Sequence, residues 1–178
     1  MPIPAKSPSR RRFLVSTWWP VVVMLLVIVR ESTASFGGDH TGRILRPIWQ
    51  ALFGVVTNRE WDHIHHHLRK TGHFLGYGAQ GLAWLRAWLR TWQPRFAWEA
   101  WRERWRWALQ MALLNTMLVA ALDEVHQSFL PNRTGLVSDV LLDSSGAALM
   151  LVIAFFFRWV KQKTARDVRP LAVVSEPS

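Results

Sequence analysis

Trp107-Ala108-Leu109-Gln110-Met111-Ala112-Leu113-Leu114-Asn115-Thr116-Met117-Leu118-Val119-Ala120-Ala121-Leu122 runs directly into Asp123-Glu124-Val125-His126-Gln127. Sixteen residues with no ionisable group therefore end on two adjacent carboxylates. Ionised side chains at membrane depth are poorly solvated, so they mark a functional site or pair with other charges. Pro131-Asn132-Arg133 and Asp139 follow closely, which brings more charge to the same end of the segment.

Three more segments share this character. Phe13 to Val29 is apolar and uncharged, with Arg10-Arg11-Arg12 before it and Arg30-Glu31 after it. Thr71 to about Leu89 is weaker, interrupted by His73 and Gln80 and carrying Gly72, Gly76, Gly78 and Gly81. Those glycines lower helix propensity but suit a helix packed closely inside a bundle. Val140 to Phe157 is the last, followed by Arg158-Trp159. At about 1.5 Å per residue each covers about 24–28 Å, enough with interfacial help for a hydrocarbon core of about 30 Å. The expected fold is an all-α membrane protein: a four-helix transmembrane bundle with a short outer interfacial helix and an inner amphipathic helix. Its expected divisions are a basic cytoplasmic segment (1–12), a four-span membrane domain (13–159) and a disordered cytoplasmic tail (160–178).

Composition agrees. Half of the 178 residues are hydrophobic, yet the formal net charge is +10. A soluble domain so charged would suggest nucleic acid. Here the charges sit between apolar runs, so membrane topology explains them and nucleic-acid binding is disfavoured. Many of the 12 Trp flank the runs as interfacial anchors do. Cysteine is absent, which excludes disulfides and thiolate-bound metals. A signal peptide is the other reading of the first run. Seventeen apolar residues are long for one and Thr33-Ala34-Ser35 is a poor cleavage site, so an uncleaved helix is expected.

Four spans put both termini on one side. That side then carries 15 of the 22 Lys and Arg residues, in the N-terminus, the segment between spans two and three, and the tail. The other side carries seven, and the excess assigns the first side to the cytoplasm. Outside, Arg43 to Val56 has helical spacing through Ile44, Leu45, Ile48, Leu52 and Val55, and a second helix is expected from an N-cap near Asn58 through His63–Lys70 into span two. Inside, Trp98, Trp101 and Trp105 (i, i+3, i+7), with Arg102 and Arg106 on the polar side, predict an interfacial helix over 91–106.

On this topology Lys70 and His73, then Asp123, Glu124 and Gln127, then Asp139 and Asp143 all reach the outer leaflet. Each set recurs at i, i+3 or i, i+4 and so shares a helix face. Only nine residues separate Leu130 from Val140, so spans three and four form a hairpin with neighbouring acidic ends. Lys70, Arg133 and His73 are the cations available to those carboxylates.

Arg69-Lys70-Thr71-Gly72-His73-Phe74 with Tyr77, then Asp123-Glu124-Val125-His126-Gln127-Ser128-Phe129, Pro131-Asn132-Arg133, Ser138-Asp139 and Gly146 resemble the VanZ-like family of bacterial membrane proteins. Glu31-Ser32-Thr33 and Thr41-Gly42-Arg43-Ile44-Leu45 are similar to that family as well, and the likeness covers most of residues 13–157. In many members position 76 is acidic and position 143 is Asn; here they are Gly76 and Asp143. The resemblance implies a role at the outer face of the cytoplasmic membrane, near lipid or cell-wall precursors, and a link to resistance against glycopeptides, teicoplanin above all. It implies no settled reaction.

Two readings of the polar cluster follow. In one, Lys70, Arg133, Gln127 and Asp139 bind the anionic head group of a membrane lipid or lipid-linked cell-wall precursor, and His73 with Asp123 or Glu124 moves a proton. In the other, the same groups form an ion-pair network that fixes helix register in an accessory subunit, and orphaning one partner costs roughly 3–5 kcal/mol. The His63, His65, His66 and His67 run could ligate zinc but is more simply a polar helix surface. A mixed site using His73 and His126 is less favoured, so no metal is assigned. No phosphate loop or dinucleotide fingerprint is present, so no cofactor is expected. The sequence leaves ligand, oligomeric state and reaction open.

Overall fold

A computed structural model describes residues 9–33, 38–92, 100–130 and 135–172. The described residues form five helices and no strand: α1 Arg10–Glu31, α2 Gly38–Phe53, α3 Asn58–Thr91, α4 Ala100–Ser128 and α5 Val137–Ala172. Three are long and apolar enough to cross a membrane: α1, α4 from Trp101, and α5 as far as Ala165. Their flanks carry exposed Val15, Leu26, Val29, Leu118, Val152 and Phe157. An apolar surface of that extent suits lipid rather than water.

α3 is not in that apolar set, yet it packs against α1, α4 and α5 and forms the centre of the bundle. Its Tyr77, Gly78, Gln80 and Gly81 turn inward, and the apolar helices surround it. Leu85 packs with Ala108, Ala112 and Leu151, Val21 with Ala83 and Ala87, and Ile28 with Tyr77 and Ala120. Small residues set the α3–α5 spacing. Gly78 lies against Met150 and the Gly146 carbonyl, Gly81 against Ala147, and Gly146 against the backbone of Phe74. The packing role expected for the glycines of α3 thus holds at Gly78 and Gly81. A Cβ added at Gly72 or Gly76 meets nothing within 4 Å.

Several expectations change. α3 starts with Thr57, not Asn58, as its N-cap: the Glu60 amide donates to Thr57 Oγ1 (3.3 Å) and the Thr57 amide to Glu60 Oε2 (2.8 Å). This reciprocal capping box holds the Glu60 carboxyl below its usual range. From this cap, α3 runs 34 residues, about 51 Å, without a break. The amphipathic stretch expected over 91–106 is not a separate helix where it is described, because Ala100–Arg106 are the first turns of α4. Trp101 and Trp105 find an apolar partner in Phe155 of α5, with ring centroids 6.5 and 6.2 Å apart. Trp98 lies outside the described residues. The expected disordered tail is also shortened, since α5 stays helical to Ala172.

α1 is fastened to α3 through a helix defect. Pro20 has no N–H to give the Ser16 carbonyl one turn back. Arg86 of α3 supplies the donors instead, to Ser16 O (3.0 Å) and Thr17 O (2.9 Å). Arg86→Met is expected to destabilise the bundle by roughly 1.5–3 kcal/mol, the scale of hydrogen bonds from a charged donor. Denaturant unfolding in lipid discs measures it, and an unchanged midpoint would show that water replaces the guanidinium without loss.

Candidate functional site

The polar residues gather where α1 and α4 end and α5 begins. α3 presents Lys70, His73 and Tyr77 at i, i+3 and i+7, one helix face. α4 presents Asp123, Glu124 and Gln127, and α5 presents Asp139 and Asp143. Lys70 Nζ donates to Asp139 Oδ1 at 2.9 Å. The Tyr77 hydroxyl (3.1 Å) and Gln127 Nε2 (2.8 Å) both donate to Asp123 Oδ2. Glu124 Oε2 accepts the Leu136 amide at 2.8 Å, which draws the start of α5 onto α4. Asp123, Glu124, Gln127 and Asp143 are buried.

Asp143 is the least satisfied of these groups. Its carboxylate is 1% exposed and neither oxygen accepts a hydrogen bond among the described residues. The basic group facing it is the His73 imidazole, whose Nδ1 stands 3.5 Å from Oδ2, within ion-pair distance but too long for a strong hydrogen bond. The His73 ring stacks on Tyr77 with centroids 6.2 Å apart. His73 was expected to work with Asp123 or Glu124, but Asp143 is the carboxylate that faces it at ion-pair distance. The sequence holds the signal for this: Asp143 is one turn beyond Asp139, as Tyr77 is one turn beyond His73.

A cavity of about 60 Å³ opens among these side chains, lined by His66, Arg69, Lys70, His73, Glu124, Gln127, Asp139, Leu142 and Asp143. Of the expected site residues, Lys70, His73, Glu124, Gln127 and Asp139 line it. Asp123 sits behind it, held by Gln127. Arg133 lies outside the described residues. Arg69 and His66 enter the lining unforeseen. No hydrogen bond or ion pair holds the Arg69 guanidinium among the described residues, so its charge is available to a ligand. Lys70 and Asp139 are 37% and 28% exposed, so their pair lies near the scale of surface ion pairs, about 1 kcal/mol, well below the 3–5 expected for a buried one.

Two of the other histidines serve as fasteners. His126 Nδ1 and Ser32 Oγ (3.0 Å) tie α4 to the end of α1. His65 Nε2 and Thr41 Oγ1 (3.0 Å) tie α3 to α2, with Trp61 stacked on the His65 ring. His63, His66 and His67 point to the surface. Among the described residues no three His, Asp or Glu converge as a metal ligand set.

Fold and site together define an all-helical membrane protein with a polar site buried among the ends of its helices. The profile of the VanZ/LLP1 family matches residues 17–158, and the chain belongs to that family. No curated protein and no solved structure matches it.

Proposed function

We propose that this VanZ-family protein spans the bacterial inner membrane four times, with both termini in the cytoplasm, and seats an anionic head group at the outer membrane edge. α3 is then the second span, its polar residues shielded by α1, α4 and α5. The ligand is a membrane lipid or a lipid-linked cell-wall precursor, and the link to glycopeptide resistance belongs to the same reading. One observation carries it: Arg69, with no hydrogen bond or ion pair among the described residues, brings its guanidinium to a cavity in which Lys70 is paired with Asp139 and His73 faces Asp143. Arg69 offers a bidentate fork and Lys70 a point charge. Arg133, expected from the sequence beside Lys70 as a cation of the site, belongs to the connection between α4 and α5, outside the described residues. If a proton moves, His73 and Asp143 are the pair placed to move it.

A second reading has its own support. Lys70–Asp139 and Tyr77–Asp123–Gln127 join α3 to α5 and α3 to α4, as a purely structural network would. Arg69→Met separates the two, because it breaks no contact in that network. Native mass spectrometry of the gently extracted protein should show a co-purifying anionic lipid or lipid-linked glycan, retained roughly 10- to 100-fold less by the variant. A wild-type spectrum free of any such species would favour the structural network and an accessory role.

A further inference from the structure

We infer that the ligand carries a hydrocarbon chain and enters sideways from the membrane, through a slot between α1 and α3 that continues from the head-group seat. This rests on the head-group reading above and adds the route of entry and the place of the chain.

Two further cavities adjoin the one already described. The larger, about 250 Å³, lies among α1, α2 and α3 and is lined by Glu31, Thr41, Leu45, Leu68, Arg69 and His73, with Gly72 at its floor. The smaller, about 60 Å³, lies between α1 and α3, with Met24, Val27 and Ile28 on one wall and Gly76 and Tyr77 on the other; Asp123 of α4, whose carboxylate is engaged by Tyr77 and Gln127, also lines it. Glu31, Gly72 and His73 line both, so the two spaces share a wall. Arg69 lines both the larger cavity and the α3–α5 cavity, and so serves either side of His73.

Polarity changes along this path. At the top stand Arg69, Glu31 and Thr41; seven residues down α1, about 10 Å, stands Met24. A charged rim above a slot whose α1 wall is apolar fits a phosphate joined to a chain. The glycines keep the slot open. Gly78 and Gly81 are needed for contact with α5, whereas Gly72 and Gly76, one turn apart, face space in which a Cβ would touch nothing. α2 supplies a matching surface beside the larger cavity. Leu45 lines that cavity, while Ile44, Ile48 and Leu52 are exposed, as on a helix lying in the head-group layer.

The test uses the full chain in detergent, with phosphatidylglycerol and glycerol 3-phosphate as probes and binding read by native mass spectrometry. Gly76→Leu should bind phosphatidylglycerol about tenfold more weakly than wild type, the equivalent of losing about two buried methylenes. It should bind glycerol 3-phosphate as wild type does. Gly72→Leu gives an independent block, and an unchanged unfolding midpoint certifies either fold. If Gly76→Leu and Gly72→Leu both hold phosphatidylglycerol as tightly as wild type, the slot is wrong and the head-group seat stands. If wild type binds glycerol 3-phosphate and phosphatidylglycerol equally, the seat takes free phosphate esters and the chain is irrelevant. If wild type binds neither, or Arg69→Met changes neither, the head-group reading falls and the slot with it.

Discussion

Gly146→Val is expected to push α5 away from α3 and to cost roughly 3 kcal/mol or more, the upper range for overpacking a tight interior. Even the Cβ of alanine would meet the Phe74 carbonyl and its carbon, which are backbone atoms with no rotamer to escape into. The damage should reach the site, because this crossing holds His73 opposite Asp143, each within three residues of the contact. Unfolding by denaturant in lipid discs checks it, with Gly72→Ala as the control. That residue has open space beside it, so an added methyl group should be neutral or should stabilise α3 by up to about 1 kcal/mol through helix propensity. Equal effects at the two positions would refute the α3–α5 packing.

Asp123→Ala should be nearly as damaging, for an electrostatic reason. It leaves the buried Tyr77 hydroxyl and Gln127 amide without the acceptor they share. An unsatisfied buried donor costs about 1–3 kcal/mol, so two amount to roughly 2–6 kcal/mol before any relaxation. Asp123→Asn keeps an acceptor oxygen and should lose much less. Tyr77 is the protein's one tyrosine, so ring-carbon NMR of labelled tyrosine reads this contact as a single resonance. That resonance should move strongly in Asp123→Ala and slightly in Asp123→Asn. An unmoved resonance in Asp123→Ala would mean that the phenol does not donate to Asp123.

α1, α4 and α5 were legible from apolar length, because lipid tolerates few charges over about 20 residues. α3 was legible as a packed helix from its glycines, although its composition alone falls short of the other three. Its cap was misplaced by one residue because Thr57 and Asn58 both suit the position, and only the reciprocal bond with Glu60 distinguishes them. The Trp stripe over 98–105 reads from sequence as an interfacial face because periodicity shows that a face is apolar and not what covers it. Phe155, fifty residues from Trp105, covers the described part.

The site divides in the same way. By itself the sequence determined which residues would be charged at the helix ends, and which of them share a face, since helical geometry repeats locally at i, i+3 and i+4. It therefore brought Lys70, His73, Asp123, Glu124, Gln127 and Asp139 to one neighbourhood. Only the tertiary structure decided the partners: His73 opposite Asp143, Asp123 shared by Tyr77 and Gln127, Arg69 at a cavity with no partner among the described residues. Those pairings depend on how far each helix is rotated about its own axis. That rotation is set by contacts between residues distant in the chain, such as Gly146 on Phe74 and Gly81 on Ala147, which no local spacing encodes.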